Sequence, residues 1–124
     1  MTADGRIQTG RRGEAAASER YLRDGYEVLE QNWRWRKTGE IDLIAYHRAC
    51  GILVICEVKT RRAEPLARLC EAVNFKKRRR LRTLAQIYLL QSGLQNTAAV
   101  RFDVVEAILE DDGEITLNVI EDAF

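Results

Sequence analysis

Histidine and cysteine are scarce in this sequence, and each shortage argues against a class of protein. The 124 residues include one histidine and one proline, and a lone histidine argues against histidine-based nuclease chemistry and against a zinc site. The three cysteines are odd in number and form no Cys-x-x-Cys pair, which indicates a reducing compartment rather than a disulfide framework. No apolar run approaches the roughly 20 residues of a membrane span, and residues 1–12 lack the apolar stretch of a secretory signal. We therefore expect a cytoplasmic protein with no membrane partner.

The formal net charge is only +1, but the two signs of charge are unevenly distributed along the chain. Six basic residues and no acidic ones lie between Asn74 and Arg82, and a second basic group alternates with tryptophans at 33–37. After Arg101 there are eight carboxylates and no lysine or arginine. A charge run alone is typical of a solvated helix face, but two basic clusters around an acidic centre favour a polyanionic partner. The expected phosphate contacts are Arg34, Arg36, Lys37, Arg61, Lys76, Lys77, Arg78 and Arg79.

The spacing of apolar residues predicts two helices, over 13–24 and over 75–92, the second stopped by Gly93. The first ten residues are polar, contain two glycines and are expected to fray. The segment from Arg61 to Asn74 holds the only proline and is expected to be a loop or a broken helix start.

Alternating and β-branched segments predict five strands, and the short connections at 47–51 and 111–113 predict two antiparallel hairpins. The order of one helix, three strands, one helix and two strands predicts one α/β domain over 1–124, with a mixed sheet flanked by helices. The predicted strands are 26–33, 40–46, 52–60, 100–109 and 115–120.

Acidic residues and one lysine lie in phase on the two central strands. Because side chains two residues apart share a face, Glu40 goes with Asp42 and Glu57 goes with Lys59. Such charges among apolar neighbours cost free energy unless they are paired or bind a metal. Oxygen ligands suit a hard cation such as Mg²⁺, and a nearby lysine suits phosphodiester hydrolysis. Glu14, on the inner edge of the first helix, adds a carboxylate. The alternative is an exposed sheet face with a cross-strand ion pair of roughly 0.2–1 kcal/mol.

Short runs in order along nearly the whole chain resemble the YraN-like family of predicted bacterial endonucleases. This family is similar to the PD-(D/E)xK nucleases, which have the restriction-endonuclease-like fold, and in layout to archaeal Holliday-junction resolvases. The runs are Gly10–Glu14, Gly25-Tyr26, Asn32–Arg34, Gly39–Ala45, Glu57–Arg61, Glu71–Val73, Lys77–Leu81, Tyr88-Leu89 and Arg101–Val105.

The resemblance implies a nuclease that uses Mg²⁺ or Mn²⁺ and acts on nucleic acid, with DNA, including branched or single-stranded forms, as the expected substrate. It implies that Asp42 and Glu57 bind the metal, that Glu14 completes the metal shell and that Lys59 is the catalytic lysine. Glu40 is expected to be an accessory acid. The segment 63–69 departs from the family pattern, since it lacks the Phe-Gly-containing loop expected there, and this bears on the substrate-facing loop.

Two other functions are compatible with the same residues. A non-catalytic nucleic-acid-binding module would keep the basic surface without cutting. A protein-interaction domain would instead use the acidic region between Asp103 and Asp122. A homodimer would place two nuclease sites on a branched substrate.

Overall fold

The computed structural model describes residues 3–63 and 73–124 and contains two helices and five strands in that part of the chain. The strands form one sheet in the order β1-β2-β3-β4-β5, in which β3 and β4 are parallel and the other pairs antiparallel. This confirms the predicted α/β architecture of a mixed sheet flanked by helices. The elements are α1 (Ala3–Arg23), β1 (Glu27–Trp35), β2 (Gly39–His47), β3 (Ile52–Arg62), α2 (Phe75–Ser92), β4 (Ala99–Leu109) and β5 (Ile115–Ile120).

Helix α2 has the predicted bounds. Asn74 begins it by accepting a hydrogen bond from the Lys77 backbone N–H at 2.9 Å. Gly93 ends it in the left-handed conformation, with φ of 77°. The five apolar residues that repeat with helical periodicity are its buried residues: Leu81, Leu84, Ala85, Tyr88 and Leu89.

Helix α1 begins at Ala3, so the predicted start at Gly13 is wrong and residues 3–12 continue the helix. Each glycine lowers helix stability by about 1 kcal/mol relative to alanine. The helix nevertheless continues through Gly5 and Gly10, because packing further along the chain anchors it. That anchor is the inner side of the helix, where Ala17 and Tyr21 are buried against the sheet.

Strands β1 to β4 extend slightly beyond their predicted limits, and β5 has the predicted bounds. Strand β3 continues to Arg62 because its parallel pairing with β4 runs as far as Leu109. Strand β1 continues to Trp35, which leaves a shorter basic turn than the predicted 33–39. The prediction of a loop or broken helix start falls mostly on residues 64–72, which lie outside the described residues. No helix in the described ranges is long and apolar enough to span a membrane.

The sheet separates two apolar cores. One face packs on α2 through residues such as Ile44 and Ile55, and the other packs on α1 through residues such as Leu43 and Cys56. Both faces of the central strands are therefore covered, which explains why β2 and β3 read as nearly continuous apolar runs.

Asp103 is a fully buried acid that joins three parts of the fold. Its carboxylate accepts hydrogen bonds from the Tyr21 hydroxyl at 2.7 Å, from Arg101 Nε at 2.9 Å and from the Asp122 backbone N–H at 3.1 Å. Arg101 also forms an ion pair with this carboxylate. Helix α1 is thereby fixed to β4 and to the C-terminal segment.

Gly13 is buried where α1 crosses β3, and a Cβ atom there would overlap Thr60 Oγ1 and lie 3.0 Å from Thr60 Cβ and Cγ2. Gly10, one turn earlier, would meet nothing within 4 Å. We expect Gly13→Ala to lower the free energy of unfolding by about 1–3 kcal/mol, because the helix must move away from the strand. Gly10→Ala should raise it by about 0.5–1 kcal/mol. Urea unfolding of both variants checks this, and equal stabilisation by both would contradict the close approach.

Candidate functional site

The ladder between β2 and β3 ends before either strand does. The last paired residues are Leu43 and Cys56. Beyond them β2 stays paired with β1 as far as Gly39, while β3 stays paired with β4 as far as Arg62. The two central strands therefore diverge and open a wedge in the sheet, with Asp42 and Glu57 at its apex.

Asp42 bridges this wedge. Its Oδ2 accepts a hydrogen bond from the Val58 backbone N–H at 2.9 Å. Side chains two apart normally share a face, yet Leu43 packs on the α1 side and Ile41 on the α2 side. Asn32, on the neighbouring strand, has a φ of 52°. The strand therefore changes face at Asp42, which turns this carboxylate into the wedge.

Four predicted site carboxylates meet in one cavity of about 260 Å³. Glu14 reaches it from α1, Glu40 and Asp42 from β2, and Glu57 from β3. Glu40 and Asp42 were predicted to share one face of β2; both line this cavity, although the strand changes face at Asp42. The other lining residues are Asn32, Lys77, Arg80 and Leu81.

Burial and neighbouring negative charges raise the pKa of two of these carboxyl groups, Asp42 and Glu14. Burial, then the nearby Glu57 charge, raises the pKa of Asp42 to about 7, against the opposing hydrogen bond from Val58. Burial also raises the pKa of Glu14, reinforced by the charges of Glu40 and Glu57 and opposed by a hydrogen bond from Asn32. Glu14 Oε2 is buried and accepts no hydrogen bond from any described residue. The cavity thus concentrates negative charge that the protein only partly compensates.

Lys77 supplies part of that compensation. Its Nζ forms an ion pair with Glu57 Oε1. The Glu57 side chain is 7% exposed and the Lys77 side chain 42% exposed, so the ammonium reaches inward from the surface. In residues 3–63 and 73–124, no three His, Cys, Asp or Glu side chains are gathered into a group that could hold a metal ion as they stand. The carboxylates share a cavity without being drawn together around one point.

Lys59 is half-buried and lies two residues beyond Glu57, on the α2 side by strand alternation. In the parallel register it is the partner of Glu106, which is 3% exposed. Glu106 accepts hydrogen bonds from Arg61 at 3.2 Å and from Asn118 at 3.1 Å. The structure therefore places Arg61, an expected phosphate contact, in an ion pair with a buried acid. Sequence reasoning missed Glu106, although a charged residue inside the apolar run of β4 was the available signal.

The first basic cluster, at the end of β1, lies beside the cavity. Arg34 is exposed and donates to Glu40 at 3.1 Å, and Glu40 lines the cavity. The guanidinium of Arg36 lies over the Trp35 ring at 5.0 Å, and Lys37 is exposed. Trp33 packs against the α2-side core.

The second basic cluster divides between surface and structure. Lys76 and Arg79 are exposed, with the Arg79 guanidinium 5.8 Å from the Phe75 ring. Arg78 Nε donates to the Val73 carbonyl at 2.7 Å, and its guanidinium lies over Phe124. Arg78 is therefore engaged in holding the start of α2, and Arg80, which sequence reasoning left out, lines the cavity instead.

We expect Asp42→Asn to change how stability depends on pH. Since the folded-state pKa of Asp42 is above its usual 3.8, the folded protein binds more protons than the unfolded chain between about pH 4 and pH 7. Stability therefore falls as pH rises through that window. Asparagine can still accept the hydrogen bond from the Val58 backbone N–H and has no carboxyl group to ionise. The free energy of unfolding of the variant should therefore exceed that of wild type by about 1–3 kcal/mol between about pH 5 and pH 8.

Urea unfolding across that pH range measures the difference. Asp111→Asn, in the exposed turn before β5, is the matched control and should follow wild type. Parallel pH profiles for Asp42→Asn and wild type would contradict the raised pKa.

Comparison with known proteins supports the family resemblance. The model of the uncharacterised protein family UPF0102 matches residues 13–107. A UPF0102 protein of Symbiobacterium thermophilum is 43% identical over 117 residues, covering 94% of this chain and 96% of that protein. One of Acetivibrio thermocellus is 42% identical over 116 residues, covering 90% and 87%. One of Streptomyces coelicolor is 42% identical over 104 residues, covering 84% and 78%. None of these descriptions states an activity.

Proposed function

The chain belongs to the uncharacterised protein family UPF0102, the YraN-like family, and from its site we propose that it is a metal-dependent nuclease that hydrolyses phosphodiester bonds, with DNA as substrate. The observation that carries the proposal is the meeting of Glu14, Glu40, Asp42 and Glu57 in one cavity at the divergence of β2 and β3. A sheet that needed these residues only for stability would gain nothing from neighbouring carboxylates that raise the pKa of Asp42 and Glu14.

The carboxylate oxygens in the cavity are suitable ligands for a hard divalent cation. Such oxygens are the ligands that Mg²⁺ and Mn²⁺ take in proteins. The buried Glu14 Oε2 has no described partner, and an ion is one way to satisfy it. Asp42, Glu57 and Glu14 would hold the cation, with Glu40 as an accessory acid. The bound ion would polarise a phosphoryl oxygen and lower the pKa of a water molecule.

Lys59 is the group of this chain best suited to act on the phosphate. It follows Glu57 on the same face of β3 and carries a charge that would offset the negative charge developing on the scissile phosphate. Its register partner Glu106 is held by Arg61 and Asn118.

The two basic clusters suit a substrate with a phosphate backbone. Arg34 at the end of β1 and Arg80 in α2 flank the carboxylates, and exposed positions such as Lys37, Lys76 and Arg79 extend the positive surface. Contacts of this kind give affinity that depends on salt and carries no sequence preference. We therefore propose recognition of the nucleic-acid backbone rather than of a base sequence.

We expect the wild-type protein to cleave DNA only with Mg²⁺ or Mn²⁺, and Asp42→Asn/Glu57→Gln to lose at least about 100-fold in rate, because the metal contributes several kcal/mol to the transition state. The measurement combines isothermal titration of Mn²⁺ with cleavage of a panel of duplex, single-stranded and branched DNA. Asp111→Asn, which changes one carboxyl far from the cavity, should cleave like wild type.

The other outcomes separate the competing functions. Salt-sensitive DNA binding without Mn²⁺ binding or cleavage would replace the proposal with a non-catalytic binding module. Neither DNA binding nor Mn²⁺ binding would leave protein interaction as the function that the acidic residues serve.

A further inference from the structure

Lys77 is placed in the carboxylate cavity by both its backbone and its side chain. The backbone N–H donates to the Asn74 side chain at the start of α2, which fixes the first turn of the helix. From there the side chain reaches Glu57 Oε1, a carboxylate that is almost fully buried. The helix cap and the strand therefore fix the two ends of this ion pair, unlike an ion pair between two mobile surface side chains.

The charge of Lys77 acts on more than one carboxylate. It lines the same cavity as Glu14, Glu40 and Asp42, and it stabilises the ionised form of Asp42 as well as pairing with Glu57. A buried carboxylate without a partner strongly destabilises the folded protein. An ammonium on a flexible four-carbon stem can meet this need and can also move away, which a rigidly held guanidinium does less readily.

We propose that Lys77 is a tethered counter-cation for this cavity: it neutralises Glu57 in the metal-free protein and leaves Glu57 when a divalent cation binds. This inference rests on the proposed function. A divalent ion bound by Glu57 would weaken the pairing of Glu57 with Lys77, because the two cations repel each other at such separations. The displaced Lys77 then lies at the rim of the cavity, where a substrate phosphate is its natural partner. Lys77 is thus a positioning residue: its ammonium pairs with Glu57 in the metal-free protein and faces the substrate phosphate once the metal is bound.

The test is titration of Mn²⁺ into wild type, Lys77→Met and Arg23→Met. Methionine keeps the apolar stem of Lys77 and removes its charge. Arg23→Met removes one positive charge from an exposed position at the far end of α1. We expect Lys77→Met to bind Mn²⁺ roughly tenfold more tightly than wild type, since a nearby positive charge is gone. Arg23→Met should stay within about twofold, because its charge is distant and screened.

Thermal unfolding gives a second readout that does not need metal binding. In EDTA, Lys77→Met should melt below wild type and Arg23→Met, because Glu57 loses its partner. Saturating Mn²⁺ should then raise the melting temperature of Lys77→Met by more than that of wild type.

These two measurements distinguish failure of the inference from failure of the proposed function. Mn²⁺ binding by Lys77→Met that is equal to or weaker than wild type would overturn the counter-cation role and leave the metal site standing. If no protein binds Mn²⁺, the proposed function fails, and the melting temperatures in EDTA decide about Lys77. A melting temperature that is lowered in Lys77→Met and not in Arg23→Met supports the neutralisation of Glu57 by Lys77. An unchanged melting temperature in Lys77→Met overturns this role.

Discussion

The hydrogen bond from the Val58 backbone N–H to Asp42 is the interaction on which the arrangement of the site depends. An antiparallel ladder that stops inside a sheet leaves backbone groups that need partners. Here the carboxylate takes the place of the missing strand contact, so the sheet can open between β2 and β3 without an unsatisfied donor at Val58. The opening in turn leaves room for Glu14 from one helix and Lys77 from the other.

Two sets of acidic residues in this protein differ in how fully their surroundings satisfy them. Asp103 is fully buried and is satisfied by a tyrosine hydroxyl, a guanidinium and a backbone N–H. Such a group is suited to holding elements together. In the wedge, by contrast, Glu14 keeps an oxygen without a described partner and Asp42 is crowded by other carboxylates. Raised pKa values in a cavity of this kind are typical of sites that bind or react.

The sequence predicted those features that depend on local pattern. Helix α2 and strand β5 have the expected bounds, because periodicity and turn residues determine them, and Glu14, Asp42 and Glu57 share a cavity as strand alternation and the family resemblance suggested. The divergence of β2 and β3 was not predictable, since uninterrupted apolar runs give no sign of where a ladder stops. The ion pairs of Lys77 with Glu57 and of Arg61 with Glu106 were also missed, because they join elements far apart in the sequence.

The topology of the sheet bears on the order in which the chain folds. The β2–β3 hairpin joins neighbouring segments such as Leu43 and Cys56, whereas the parallel β3–β4 pair joins residues as distant as Ile52 and Ala99 across the connection that contains α2. Closing the longer loop costs more entropy, so local contacts are favoured early and the parallel pair is slow. The β2–β3 hairpin, which carries Asp42 and Glu57, is therefore expected to form before β4 joins the sheet.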